Sequence, residues 1–251
     1  MALPYRTFSA IDLGFLQLHV WGIFAALAFL VAFWFAAREA KRRRLDSEVI
    51  WDLAPWLIVG SILGARIVFF LENPLALTSP LEFFRVWNGG LAFHGGFAGG
   101  VAAFLIFARL RRLDFWKYAD SVAPAIALGH AVGRCGCFLT GLHIGKEADV
   151  PWAVYYDGAL RHATPLYEFI ALMAIFGFLL WFRNQRLASR FDGFLFAVYL
   201  ALYSIARFVI EFYRADPTYF GFTVAQYITI VLFMGSVAFM AVRLTQAKAK
   251  A

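Results

Sequence analysis

Seven apolar segments, each about 20 residues long and so matched to the hydrocarbon core of a bilayer, dominate this chain: 15–37, 49–71, 91–110, 118–140, 164–182, 193–213 and 223–243. Backbone polar groups in lipid must be satisfied within the chain, so segments of this kind become helices. The pattern predicts an all-α polytopic membrane protein with seven transmembrane helices and small outer loops, forming a single transmembrane domain over 1–251. Composition agrees: 62% of the 251 residues are hydrophobic and 16% are charged, outside the soluble globular range. The first segment is preceded only by Arg6, shows no small-residue cleavage site and runs into a basic stop. That reads as a retained spanning helix, not a cleaved signal peptide.

The net charge of +7 would fit nucleic acid, but its distribution excludes that partner. Fifteen of the 23 Lys and Arg lie in alternate connections: Arg38 to Arg44, Arg109 to Lys117, Arg183 to Arg190, and Arg243 onward. Basic loops mark the cytoplasmic side. The N-terminus is therefore expected outside and the C-terminus in the cytoplasm, with the basic face against anionic lipid.

Four cationic or titratable side chains break the apolar segments: Arg66, His94, Arg134 and Arg207. A cation at membrane depth is expensive and normally faces a bundle interior. Counting back from the outer ends at 1.5 Å per residue places Arg66 at about 7 Å depth and Arg134 and Arg207 at about 9 Å. His94 falls in the first turn of its helix. Few carboxylates are evident at that depth to neutralise them, so an anion-binding layer is expected, with a lipid phosphate as the obvious anion. Tyr203, Arg207 and Glu211 are spaced i, i+4, i+8 and share a helix face, as do His130, Arg134 and Cys137. Cys135 and Cys137 diverge on a helix, so no disulfide is expected between them. With His130 and His143 they give no zinc-ligand spacing, and neither metal nor cofactor is expected. Gly95 and Gly96, beside His94, suit close approach of a phosphate to a helix start. Gly99 and Gly100 suit helix packing.

These residues, in order, resemble the bacterial prolipoprotein diacylglyceryl transferase family. The resemblance is carried by His19-Val20-Trp21-Gly22, Gly64-Ala65-Arg66, Arg85-Val86-Trp87-Asn88-Gly89-Gly90 leading to His94-Gly95-Gly96, and Gly133-Arg134-Cys135-Gly136-Cys137-Phe138. It continues through Arg161-His162, Tyr167-Glu168, and Tyr203, Arg207, Glu211 and Arg214. It implies transfer of a diacylglyceryl group from phosphatidylglycerol, or another anionic phospholipid, to the lipobox cysteine thiol in the signal region of a preprolipoprotein. A thioether forms and glycerol phosphate leaves. The implied location is the bacterial inner membrane. The implied catalytic set is His94, Arg134, Tyr203 and Arg207. The implied substrate-binding set is Arg66, Gly95, Gly96, Arg134, Cys137, Gly145, Arg207 and Glu211. Guanidinium pairs suit a phosphodiester leaving group. His94 would serve the acceptor thiol, which reacts as its thiolate.

The chain departs from the family pattern at several positions. Cys137 stands for the signature asparagine, Leu142 for a glutamate, Asn88 for an aspartate, Trp21 for a tyrosine, and His162-Ala-Thr-Pro165 for His-Pro-x-Gln. These losses keep open a non-catalytic lipid-binding paralogue of the same fold. An anion transporter fits less well, because no repeat and no midplane site are evident.

Overall fold

The computed structural model describes residues 5–12, 14, 17–76, 79–85 and 89–249. Among the described residues there are seven α-helices: α1 (Val20–Arg42), α2 (Glu48–Glu72), α3 (Phe93–Leu110), α4 (Phe115–Thr140), α5 (Thr164–Phe182), α6 (Phe194–Glu211) and α7 (Val224–Ala249). Six are long and apolar enough to cross a membrane, while α3 is a shorter apolar helix. The end of α7 runs six residues past its expected segment, and α1 begins five residues late. Its approach is taken by an antiparallel pair, β1 (Ala10–Asp12) with β2 (Gln17–His19), Ile11 opposite Leu18. Gly14 turns there at φ +83°, its N–H donating to Asp12 Oδ1 at 2.8 Å. At its far end α1 runs on through Ala-Arg-Glu-Ala-Lys-Arg, all good helix formers.

The chain packs as two compact units, residues Met1–Glu39 with Ala119–Ala251, and residues Ala40–Tyr118. The second unit is built on the α2–α3 pair. A Cβ on Gly95 would lie 2.3 Å from the Gly64 carbonyl oxygen, and one on Gly99 would lie 2.1 Å from that of Gly60. Glycines four apart on both helices thus let the two backbones touch, a membrane packing device. Toward the other end of the pair, Val49, Leu53 and Phe107 form an apolar core.

In the first unit α4 seats on α1 in the same way. A Cβ on Gly129 would meet the Ala28 carbonyl oxygen at 2.8 Å, and one on Gly136 would meet Phe24 Cβ at 2.5 Å. The core joins α4, α5 and α6 through Ala123, Ala127, Leu179, Leu195 and Tyr199. Asp120, 1% exposed, is a helix cap supplied from a distance. Its carboxylate accepts from the N–H of Gly193 at 3.1 Å and of Phe196 at 2.9 Å, two donors that α6 itself leaves orphaned. Thr223 and Gln226 form a capping box at the start of α7: Gln226 N–H donates to Thr223 Oγ1 at 3.2 Å, and Thr223 N–H to Gln226 Oε1 at 3.0 Å.

A short hairpin follows α4 in the connection to α5. β3 (Val154–Tyr156) pairs with β4 (Ala159–Arg161) across Asp157 and Gly158, both at positive φ, the geometry of a two-residue turn. A second hairpin, β5 (Thr218–Tyr219) with β6 (Phe222–Thr223), turns at Phe220 and Gly221 between α6 and α7. The hairpins follow α4 and α6 in sequence, the two helices that carry Arg134 and Arg207.

Candidate active site

The charged centre of the first unit is Glu168, one turn into α5 and 2% exposed. Three guanidiniums from two other helices and a following turn meet it. Arg134 Nη2 of α4 lies 2.7 Å from Oε2. Arg207 Nη1 of α6 lies 3.0 Å from Oε1, and Arg214 Nη1, just beyond α6, lies 3.4 Å from the same oxygen. Arg207 also reaches Glu211 Oε2 at 2.7 Å, as the i, i+4 spacing requires. Arg214 Nε donates to Asp216 Oδ2 at 2.8 Å. Although burial favours its neutral form, the hydrogen bond and charge of Arg214 hold the Asp216 carboxyl below its ordinary 3.8. Glu211 is fixed from the far side, where Thr223 Oγ1 donates to its Oε1 at 2.8 Å.

The expected shortage of carboxylates at this depth does not hold. Glu168 and Glu211 are both buried and both paired with arginine. A carboxylate in the interior persists when cations surround it. In the sequence Glu168 stood out as an acidic residue in an apolar segment and as part of the Tyr167-Glu168 motif, without an assigned role. Which arginines it served depended on how α4, α5 and α6 pack.

Arg134 is flanked by His130, whose Nε2 accepts from Arg134 Nε at 3.3 Å. The His130 ring lies 5.6 Å from that of Tyr203, which stacks on Tyr199 at 6.0 Å. Tyr203, Arg207 and Glu168 form the polar end of a small crevice between α5 and α6, whose wall is Leu172, Ile175 and Ile210. Cys137 is buried one turn beyond Arg134. Gly145 is a close-approach position: a Cβ there would lie 2.3 Å from the Tyr213 carbonyl oxygen, and its N–H donates to His162 O at 2.9 Å. Beside it runs an ordered polar chain. Trp152 Nε1–H donates to Tyr167 Oη at 2.9 Å, and the Tyr167 hydroxyl meets His162 Nδ1 at 3.0 Å. Partial desolvation holds the His162 imidazole below its ordinary 6.5.

Arg134, Tyr203, Arg207 and Glu211 are thus brought together. Arg66, His94, Gly95 and Gly96 belong to the other unit. There Arg66, 3% exposed, is enclosed by backbone carbonyls. Nε donates to Phe83 O at 2.9 Å, and Nη1 donates to Gly89 O at 2.7 Å and to Gly90 O at 3.1 Å. Nη2 donates to Glu82 O. The guanidinium also stands 4.7 Å over the Phe70 ring. It ties both ends of the 82–90 loop to α2. Val86, Trp87 and Asn88, which carry part of the family motif, lie outside the described residues. Gly95 is occupied with the α2–α3 contact described above, while a Cβ on Gly96 would approach Ser61 O at 3.4 Å. His94 is exposed in the first turn of α3. Among the described residues no three His, Cys, Asp or Glu side chains are grouped to hold a metal ion.

The profile of the prolipoprotein diacylglyceryl transferase family matches residues 9–242. The chain belongs to that family. Proteins named phosphatidylglycerol–prolipoprotein diacylglyceryl transferase are similar along nearly their full length. That of Thermosynechococcus vestitus is 36% identical over 236 residues, covering 89% of this chain and 87% of the relative. That of Chromohalobacter salexigens is 35% identical over 241 residues, covering 91% and 89%. That of Listeria innocua is 34% identical over 255 residues, covering 93% and 88%. The family is one of membrane transferases in lipoprotein biogenesis, and six spanning-length helices here agree with it.

Proposed function

We propose that the chain moves a diacylglyceryl group from phosphatidylglycerol to the lipobox cysteine of a preprolipoprotein. The acceptor sulfur attacks the terminal glyceryl carbon. A C–S bond forms, the C–O bond to phosphate breaks, and the electron pair leaves with glycerol phosphate. Arg134 and Arg207 grip the phosphate oxygens, where charge develops as the bond breaks. Tyr203 positions the headgroup, and Glu211 keeps Arg207 aimed. His94 is the candidate base for the thiol. Cys137 and Gly145 complete the binding set in this unit, while Gly95 and Gly96 belong to the set in the other. Arg66 serves substrate binding through the loop it holds. The chain acts as one transferase domain in the bacterial inner membrane, with seven spans, the N-terminus outside and the C-terminus in the cytoplasm.

The observation that supports this reading most is the meeting of Arg134 and Arg207 from separate helices on one buried carboxylate. The test is incubation of purified protein with labelled phosphatidylglycerol and a lipobox peptide. Thioether product and released glycerol phosphate are expected. Absence of transfer with both phosphatidylglycerol and total lipid extract overturns the assignment. Lipid retention without glycerol phosphate release would identify a non-catalytic lipid-binding paralogue.

A further inference from the structure

We propose that Glu168 is the exchangeable counter-ion of the phosphate site: it holds Arg134 and Arg207 while the site is empty and gives them up to the incoming headgroup. This rests on the function proposed above.

The charges of the cluster balance. Arg134, Arg207 and Arg214 face Glu168, Glu211 and Asp216. In a balanced cluster the pull of each guanidinium on a phosphodiester anion is offset by a neighbouring carboxylate, so binding gains when one carboxylate withdraws. The structure distinguishes which. Glu211 is pinned by the Thr223 hydroxyl, and Asp216 is committed to Arg214. Among the described residues, the recorded partners of Glu168 are guanidiniums alone. Its Oε2 sits at ion-pair distance from Arg134 without hydrogen-bond alignment. Arg134 has Glu168 as its carboxylate partner, so its release leaves that guanidinium without a counter-charge and held only on its Nε edge by His130. In the empty site the same carboxylate prevents an uncompensated buried charge, which would be strongly unfavourable. Glu168 is therefore a positioning residue, acting through Arg134 and Arg207.

The experiment uses the full chain in detergent micelles, with phosphatidylglycerol varied at fixed lipobox peptide. Glu168→Gln removes the internal competitor. KM for phosphatidylglycerol is expected to fall by about tenfold, equivalent to one modest ionic contact. kcat is expected to fall as well, because the unopposed arginines retain glycerol phosphate. Glu168→Asp is too short to reach both arginines at once. It should give an intermediate KM and recover part of kcat. A purely structural role predicts instead an unchanged or raised KM with a lowered melting temperature. An unchanged or raised KM in the variants that fold, judged by tryptophan fluorescence, overturns the proposal. If Glu168→Gln does not fold, Glu168→Asp alone decides. Wild-type protein with no transfer removes both this proposal and the function it rests on, whereas wild-type turnover with unchanged variant KM removes only the exchange.

Discussion

Arg134 Nε donates to His130 Nε2 across one turn of α4 at 3.3 Å. A guanidinium has only donors, so His130 must accept and carries its proton on Nδ1. The guanidinium is thereby held on one edge by a neutral ring and on the other by Glu168. The first prediction concerns that fixed orientation. Arg134→Ala and Arg207→Ala each abolish turnover in the phosphatidylglycerol assay. Arg134→Lys, which keeps the charge and loses the planar fork, lowers kcat by about 10²-fold. Arg207→Ala also destabilises the protein by about 3–5 kcal/mol, because it strips a cation from two buried carboxylates. Thermal melts in detergent separate the two effects, and wild-type rates in both alanine variants would refute the phosphate grip.

Arg66 predicts a different phenotype. Its nitrogens are spent on four loop carbonyls, and lysine cannot reproduce that fork. Arg66→Lys should loosen residues 82–90 with little change in the α2–α3 pair. Hydrogen exchange of the loop amides rises sharply, while α3 amides remain protected. Equal protection in wild type and variant would show that the carbonyl cage does not hold the loop.

The α2–α3 contact predicts that Gly95→Ala destabilises by about 1–3 kcal/mol through overpacking. Its Cβ would stand 2.3 Å from Gly64 O, backbone that cannot turn aside. Gly22→Ala is the control, since nothing lies within 4 Å of its Cβ. A melting temperature for Gly95→Ala at the level of Gly22→Ala would remove the packing argument.

The His162 chain predicts a stability loss on the acid side. Desolvation lowers the folded value below the ordinary 6.5. The unfolded chain therefore binds the proton more readily, so the stabilisation is complete above 6.5 and is lost as pH falls from there through the lowered folded value. Melting temperature measured from pH 8 to pH 5 should fall more steeply in wild type than in His162→Gln. Parallel curves would exclude His162 as the titrating group.

The amino-acid sequence alone determined the spanning segments, because the bilayer demands long apolar runs whose hydrogen bonds close within the helix. It also determined the shared face of Tyr203, Arg207 and Glu211, because helical periodicity is local. The motifs from Arg66 to Arg214 were enough to place the family. Tertiary structure decided what each charge does. Arg66 and Arg134 look alike in sequence, an arginine near the end of an apolar helix. One is enclosed by loop carbonyls and the other is paired with Glu168. Gly95 stands beside His94 in sequence, and its close approach to Gly64 of α2 came only with the fold. Asp120 caps a helix that starts more than seventy residues later. In each case the partner is distant in the chain, and ion pairs, close backbone contacts and borrowed caps depend on proximity in space, which no spacing along one segment encodes.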